Sequence, residues 1–86
     1  MGMKRAGTSS ATIRRDMGKL DRLTPRELEV LALIANADTN VAIAAELGIT
    51  TRSVERHVNS IFRKLEIPPG GRVNRRVQAA LTYRDA

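Results

Sequence analysis

A single glycine between two short amphipathic segments most constrains how this chain of 86 residues can fold. Gly48 ends an apolar stripe, and Thr50 stands two residues beyond it. The stripe consists of Ile43, Ala44 and Leu47. Glycine readily adopts the left-handed backbone conformation that reverses a chain at the end of a helix, and a threonine hydroxyl can cap the next one. The pattern therefore predicts two short helices that meet at a tight turn.

Two further threonines predict where helices begin upstream of this turn. Thr24 precedes Pro25, which fits the first helical position because proline has no N–H to leave unpaired. Glu27 stands where its side chain can complete a capping box with that threonine. We expect this first helix to end near Asn36. Thr39 can cap the second helix in the same way.

The helix that starts after Thr50 has one apolar and one polar stripe. Apolar side chains recur at spacings of four, three and four, which places them on one helical face. They are Val54, Val58, Ile61 and Leu65. The opposite face is mostly basic and consists of Arg52, Glu55, Arg56, Asn59, Arg63 and Lys64. One stripe is thus predicted to enter the core and the other to face solvent.

Prolines and glycines at positions 68–71 end the third helix, and a fourth helix is expected to follow. Its apolar face comprises Val73, Val77, Ala80 and Leu81.

Residues 1–16 are too polar to bury a core, although the spacing of Met17, Leu20 and Leu23 predicts one further helical turn. We expect residues 1–20 to be a flexible basic tail or linker and residues 21–86 to form one all-α, four-helix domain.

The composition excludes several classes of function. The chain contains no cysteine and a single histidine, His57, so disulfide frameworks and thiolate or histidine metal clusters are excluded. A domain of this size has a small core and little room for a catalytic pocket. No apolar run approaches the roughly 20 residues that cross a bilayer. We expect a cytoplasmic protein with no enzymatic activity, cofactor, metal, small-molecule ligand or membrane contact.

Charge is unevenly distributed along the chain, whose formal net charge is +6. Residues 1–20 carry a net charge of +4, residues 21–50 carry −3 and residues 51–86 carry +5. A basic C-terminal half beside an acidic middle is typical of a face that binds a polyanion. A generally basic surface that only aids solubility explains the charge equally well, so both interpretations stay open on charge alone.

Two helices joined by a short turn that contains glycine are typical of a helix-turn-helix. Ala44 is small enough to let the two helices cross closely, and Ile49 and Val54 can fill the angle between them. Such geometry exposes the third helix, about Thr51–Lys64, as an element that can enter the major groove of DNA. The alternative at this point is a plain helical bundle whose loop contains a glycine.

The motifs in and around this turn resemble the LuxR-type DNA-binding domain, which is also described as GerE, NarL or FixJ-like. The resemblance is carried by LTPRELEVL at 23–31, LGIT at 47–50 and SVERHVNSI at 53–61, and it covers residues 23–65 densely and 72–81 loosely. It implies a domain that binds short repeats in double-stranded DNA as a homodimer, paired through the fourth helix. It also implies one of two origins. The chain is either the output domain of a larger bacterial regulator, of the response or quorum-sensing type, or a minimal regulator by itself. RNA polymerase is a further candidate partner.

The resemblance also implies roles for particular residues. Glu55, Arg56 and Asn59 match positions that reach base edges, and arginine can pair with guanine, asparagine with adenine and glutamate with cytosine. The alternative for each of the three is that the side chain lies on a solvent-exposed helix face and contacts no base. Contacts with the sugar-phosphate backbone are implied for Asn40, Thr51, Arg52, Ser53, Arg63 and Lys64. The dimer face is expected to comprise Val73, Val77 and Leu81.

The sequence departs from the family pattern at several positions. Glu55 stands where lysine or arginine is common, which weakens the attraction to DNA and favours a role in selecting the site. Val41 and Ala42 replace the usual lysine and glutamate at the start of the second helix. Ala37 stands where glycine is often found. We expect Asn36 to take the left-handed conformation there, because asparagine tolerates it better than alanine.

Two other functions stay open at this point. Region 4 of a sigma factor also combines a charged helix with a helix-turn-helix, but SVERHVNSI followed by KL is typical of the LuxR type. A protein-interaction module that keeps the fold without binding DNA is favoured only by the acidic Glu55 and by Val41 in place of lysine. Titration with duplex DNA discriminates between this module and a regulator.

Overall fold

The computed structural model describes residues 18–71 and 74–85, which form an all-α domain. Its four complete helices are α1 (Pro25–Ala35), α2 (Asn40–Leu47), α3 (Thr51–Lys64) and α4 (Arg75–Asp85). Residues 18–20 are also helical, and the described residues contain no strand. The predicted all-α class and the order of four helices are confirmed.

Side-chain caps determine where each of these helices begins. The hydroxyl oxygens of Thr24, Thr39 and Thr50 accept a hydrogen bond from the backbone N–H three positions ahead, at 3.0–3.1 Å. Such a bond satisfies one of the N–H groups that the first turn of a helix leaves unpaired. The fourth helix follows Asn74, whose side-chain oxygen accepts from the N–H of Arg76 at 2.7 Å. The three predicted threonine caps are confirmed.

The end of α1 differs from the expectation. Ala37 adopts the left-handed conformation, with φ +66°, whereas φ of Asn36 is −86°. The Asn36 prediction is wrong because the helical hydrogen bonding continues through that residue, so the reversal falls one position later. The N–H of Ala37 donates to the carbonyl of Ile34 at 2.9 Å, and the N–H of Asp38 donates to that of Leu33 at 3.1 Å. These two bonds define a Schellman motif with alanine at its left-handed position.

Replacing Ala37 by glycine is expected to raise the free energy of unfolding by about 0.5–1 kcal/mol, because the left-handed conformation strains an alanine and not a glycine. Urea denaturation of both proteins measures the difference. Ala45→Gly is the matched control: Ala45 is exposed in the interior of α2, so the same substitution there should lower stability by about 0.5–1 kcal/mol. A loss of stability in both variants would contradict the strain at Ala37.

One hydrophobic core joins the helices, and α1 packs against all three of the others. Its buried side chains are Leu20, Leu23, Val30, Leu31, Ile34, Ile43, Ala44, Val54, Val58, Ile61, Phe62, Leu65, Ile67 and Ala79. Leu20 and Leu23 thus belong to the core, in agreement with the helical turn expected ahead of α1, whereas Met17 lies outside the described residues. The division of the chain at residue 20 stays a prediction.

Candidate nucleic-acid interface

The turn between α2 and α3 has the geometry that its sequence predicted. Gly48 is left-handed, with φ +68°, and the N–H of Ile49 donates to the carbonyl of Ala44 at 3.0 Å. Ala44 and Val54 are buried where the two helices pack together, and Ile49 is packed against the same core. Because the reversal is sharp and both helices are anchored in the core, the direction of α3 relative to α2 is fixed.

The two faces of α3 differ in burial as predicted. The apolar stripe is buried, at Val54, Val58, Ile61 and, just after the helix, Leu65. On the opposite face Arg52, Glu55, Arg56, Asn59 and Arg63 are all exposed, and we call these five residues the polar stripe. The three predicted base-reading residues, Glu55, Arg56 and Asn59, therefore lie on one accessible helix surface.

The first turn of α3 presents polar groups beside the polar stripe. The hydroxyl of Thr50 donates to Oγ of Ser53 at 3.0 Å, and the N–H of Ser53 donates back to the threonine oxygen. Thr51 and Ser53 are half-buried, and Arg52 between them is exposed. A helix N-terminus with such groups favours an anion through its free N–H groups and its dipole. The structure thus brings three predicted backbone-contact residues together.

Lys64 has a partner inside the domain. Its Nζ lies 2.8 Å from Oε1 of Glu27 on α1, and its side chain is 31% exposed. An ammonium group held by a buried carboxylate is less available to a phosphate than Arg63, whose side chain is exposed. The structure thereby gives Lys64 a role in packing α3 against α1. Its predicted contact with DNA stays untested.

Glu27 is the buried end of that ion pair, with only 5% of its surface exposed. Its carboxylate accepts from Ser60 Oγ at 2.6 Å, from Lys64 Nζ at 2.8 Å and from the N–H of Thr24 at 2.9 Å. Burial alone would raise the pKa of Glu27, but these hydrogen bonds and the nearby ammonium charge outweigh it and lower the pKa to about 2. Sequence reasoning found the capping box and missed the partners on α3.

Asn40, the first residue of α2, contacts α4. Nη1 of Arg76 donates to Oδ1 of Asn40 at 2.8 Å, and Nη2 donates to the backbone carbonyl of Asp38. Arg76 was not among the site residues expected from the sequence. The two partners are 36 residues apart in the chain, and no local pattern indicates their contact.

Arg75 lies beside the C-terminal half of α3. Its guanidinium carbon is 4.8 Å from the centre of the Phe62 ring, within the range of a cation–π contact. Asn59, Arg63 and Arg75 line one surface cleft together with Phe62. The arginine therefore adds positive charge next to the polar stripe. No sequence motif identified it, because the contact depends on how α4 folds back.

The predicted dimer face is partly described. Val77 and Leu81 lie four residues apart on α4, and each is 49% exposed. Ala79 on the same helix is buried in the core. Val73 lies outside the described residues. Two large apolar side chains are therefore exposed together on one face of α4, where they also border a shallow groove with Ile34.

Other classes of site have little support in the part of the chain that the structure describes. Within residues 18–71 and 74–85, no group of three or more histidine, aspartate or glutamate side chains is placed to hold a metal ion. His57 on α3 is half-buried. No helix among these residues is long and apolar enough to cross a membrane.

The core-anchored pair α2 and α3, the left-handed glycine between them and the polar stripe define a helix-turn-helix domain. Comparison with known families agrees: the profile for "Bacterial regulatory proteins, luxR family" matches residues 21–82. The chain belongs to this family. No solved structure gives a significant match.

Curated relatives are regulators from several bacteria. The chain is 47% identical over 47 residues to "Transcriptional regulatory protein LiaR" of Bacillus subtilis, covering 55% of this chain and 22% of that protein. It is 45% identical over 47 residues to "Response regulator protein VraR" of Staphylococcus aureus, with the same shares. It is 33% identical over 75 residues to "Putative HTH-type transcriptional regulator YhjB" of Escherichia coli, covering 87% of this chain and 34% of that protein. The chain thus matches about a fifth to a third of their length.

Proposed function

We propose that this domain binds double-stranded DNA in a sequence-specific manner and acts as the output part of a bacterial transcription regulator. The observation that carries the proposal is the polar stripe, in which three arginines, a glutamate and an asparagine are exposed along α3. A helix that is anchored in the core by one face and exposes its polar face can enter the major groove, where polar side chains read base edges. LiaR and VraR, whose names describe regulators, are 47% and 45% identical to this chain over 47 residues. Such a protein acts in the cytoplasm, where the chromosome lies.

Three residues of the polar stripe are proposed to read bases. Arg56 presents a fork of donors that suits O6 and N7 of guanine, and the amide of Asn59 suits N6 and N7 of adenine. Glu55 can accept a hydrogen bond from N4 of cytosine. Where no such donor is present, the DNA phosphates repel its negative charge. The three side chains are neighbours at helical spacing and are all exposed. Glu55 is therefore the residue proposed to give this domain an unusual site preference.

Positions around these three are proposed to bind the sugar-phosphate backbone. Arg52 and Arg63 are exposed at opposite ends of the polar stripe, so they suit phosphates on either side of the groove. Thr51 and Ser53 offer hydroxyl groups at the N-terminus of α3. Asn40 is proposed as a further contact from α2. Lys64 would contribute only by giving up its bond to Glu27.

A homodimer on DNA is proposed to form through α4. Val77 and Leu81 are exposed apolar side chains on one face, and burying them against a second copy would remove that surface from water. Val73 is included from the sequence alone. Dimeric binding predicts half-sites about 10 base pairs apart, centre to centre. Contact with RNA polymerase is proposed only as the step that follows DNA binding.

Selection of bound sites from random duplexes, followed by titration of the selected duplex at several salt concentrations, tests the proposal. The logarithm of the binding constant should fall linearly with the logarithm of the salt concentration, by about 0.9 for each phosphate neutralised. Replacing Arg52 or Arg63 by glutamine should weaken every duplex alike and lower that slope by about one.

Arg84→Gln is the matched control for this titration. Arg84 is exposed near the end of α4 and lines a depression with Ala32 and Tyr83, so the same loss of charge there should leave the slope nearly unchanged. A folded protein that binds no duplex even at low salt would contradict the proposed function and favour the protein-interaction module. Equal slopes in all three variants and in the unmodified protein would exclude Arg52 and Arg63 as phosphate contacts.

A further inference from the structure

The bond between Arg76 and Asn40 fixes which side of an amide group faces outward. The guanidinium of Arg76 holds two oxygens at once, the side-chain oxygen of Asn40 at 2.8 Å and the backbone carbonyl of Asp38. Both arginine and asparagine are half-buried; one bond connects α4 with the first residue of α2 and the other connects α4 with the loop that precedes α2. A guanidinium group that donates to two acceptors at once restricts the rotation of both side chains.

Chemistry permits only one orientation of the amide in this contact. A guanidinium group can only donate hydrogen bonds, so the oxygen of the Asn40 amide must face Arg76. The amide nitrogen stands on the other branch of the same planar group and is therefore turned away from the arginine. An asparagine without this partner can rotate about its last side-chain bond and present either its oxygen or its nitrogen.

We infer that Arg76 is a positioning residue for DNA binding, which fixes the Asn40 amide so that its N–H donors, and not its oxygen, meet a backbone phosphate. The inference rests on the proposed function, in which Asn40 contacts the sugar-phosphate backbone. A phosphate oxygen only accepts hydrogen bonds, so an amide presented with its nitrogen outward binds it and an amide presented with its oxygen outward repels it. Arg76 on α4 thereby orients the Asn40 side chain on α2 for its contact with DNA.

Replacing Asn40 by aspartate separates this role from a purely structural one. Aspartate keeps an acceptor for Arg76 and adds an opposite charge, so the fold should be as stable as before or more stable. The variant has no donor to offer, however, and it places a negative charge where the phosphate should bind. We expect affinity for duplex DNA to fall by at least about tenfold, equally for the selected duplex and an unrelated one.

Asn36→Asp is the matched control for the added charge. Asn36 is exposed at the end of α1 and lines a surface depression with Ala32 and Tyr83, so its replacement should change DNA affinity by less than about twofold at the same salt concentration. Undiminished DNA affinity of Asn40→Asp would overturn the inference. A loss as large in the Asn36 control would also overturn it, because net charge alone would then explain the result.

A double-mutant cycle tests the role of Arg76 in orienting Asn40. Arg76→Met should weaken duplex binding about fivefold to tenfold when Asn40 is present, and much less in an Asn40→Ala background, where no amide needs to be oriented. Arg76→Lys should recover part of the binding, because an ammonium group also donates to the amide oxygen. Thermal unfolding of each variant, at the same salt concentration, separates lost affinity from lost fold.

Each outcome of the cycle has one meaning. Equal losses from Arg76→Met in both backgrounds would show that Arg76 acts independently of the Asn40 amide and would overturn the inference, while DNA binding by the unmodified protein would still uphold the proposed function. If the unmodified protein binds no duplex, the proposed function fails first and the inference falls with it.

Discussion

Replacing Glu27 by glutamine is expected to lower the free energy of unfolding at neutral pH by about 3 kcal/mol. The carboxylate is buried and accepts hydrogen bonds from Ser60, Lys64 and the backbone of Thr24. Its pKa is lowered from 4.5 to about 2. A difference of this size between the unfolded and folded states corresponds to about 3 kcal/mol. Glutamine keeps the shape of the side chain and loses its charge.

The same pKa difference predicts how stability depends on pH. Because the pKa is depressed in the folded state, the contribution of Glu27 is present in full above the unfolded value of 4.5 and is lost as the pH falls toward about 2. The stability of the Glu27→Gln variant should therefore change less over this interval than that of the unmodified protein. Urea denaturation at a series of pH values between about 2 and 7 measures both curves.

Glu29→Gln provides the control on the same helix. Glu29 is exposed and pairs with the exposed Arg26 at 3.2 Å, and such a surface pair contributes little to stability. Its replacement should change the free energy of unfolding by less than about 0.5 kcal/mol. Parallel pH curves for the unmodified protein and Glu27→Gln would show that Glu27 is not the group whose protonation destabilises the fold in acid.

Replacing Arg56 by alanine is expected to reduce discrimination between the selected duplex and an unrelated one by about 1–3 kcal/mol. Arg56 is exposed on the polar stripe and has no ion pair with another described residue, so its side chain is available to a guanine. Removing a bidentate base contact weakens binding only where that base is present. Titration of both duplexes at one salt concentration measures the ratio of the two affinities.

Arg52→Ala is the matched arginine variant for this measurement. Arg52 lies one turn earlier on the polar stripe and is proposed to contact phosphate, so its loss should weaken both duplexes by the same factor and preserve their ratio. Neither substitution removes a buried group, and both proteins should unfold at nearly the temperature of the unmodified one. If Arg56→Ala also weakens both duplexes equally, Arg56 does not read a base.

Local signals determined much of the fold. The threonine caps and the glycine after α2 act within three or four residues, so their effect can be read from the sequence without knowing the rest of the chain. The burial of the apolar stripe on α3 follows from helical spacing for the same reason. The Asn36 prediction failed although the interaction is local, because residue type gives a preference and the hydrogen bonds of the last turn decide which position reverses.

The candidate site could be predicted only in part. Side chains on one helix share a face by geometry, so the polar stripe from Arg52 to Arg63 could be listed from the sequence. Lys64 belongs to the same polar pattern, yet its ammonium group bonds to Glu27 on α1. Arg75 and Arg76 come near α3 and α2 only after α4 folds back across the domain. No spacing within one segment encodes contacts of this kind.

The glycine turn between α2 and α3 thus illustrates what the sequence determines by itself: the turn, the caps and the two faces of α3 follow from backbone conformation and from helical periodicity. The tertiary structure alone decided that Glu27 binds Lys64 and Ser60, and that Arg76 orients Asn40. These contacts join residues 33 to 37 positions apart in the chain. Their energies depend on distances and burial that exist only once the helices have packed.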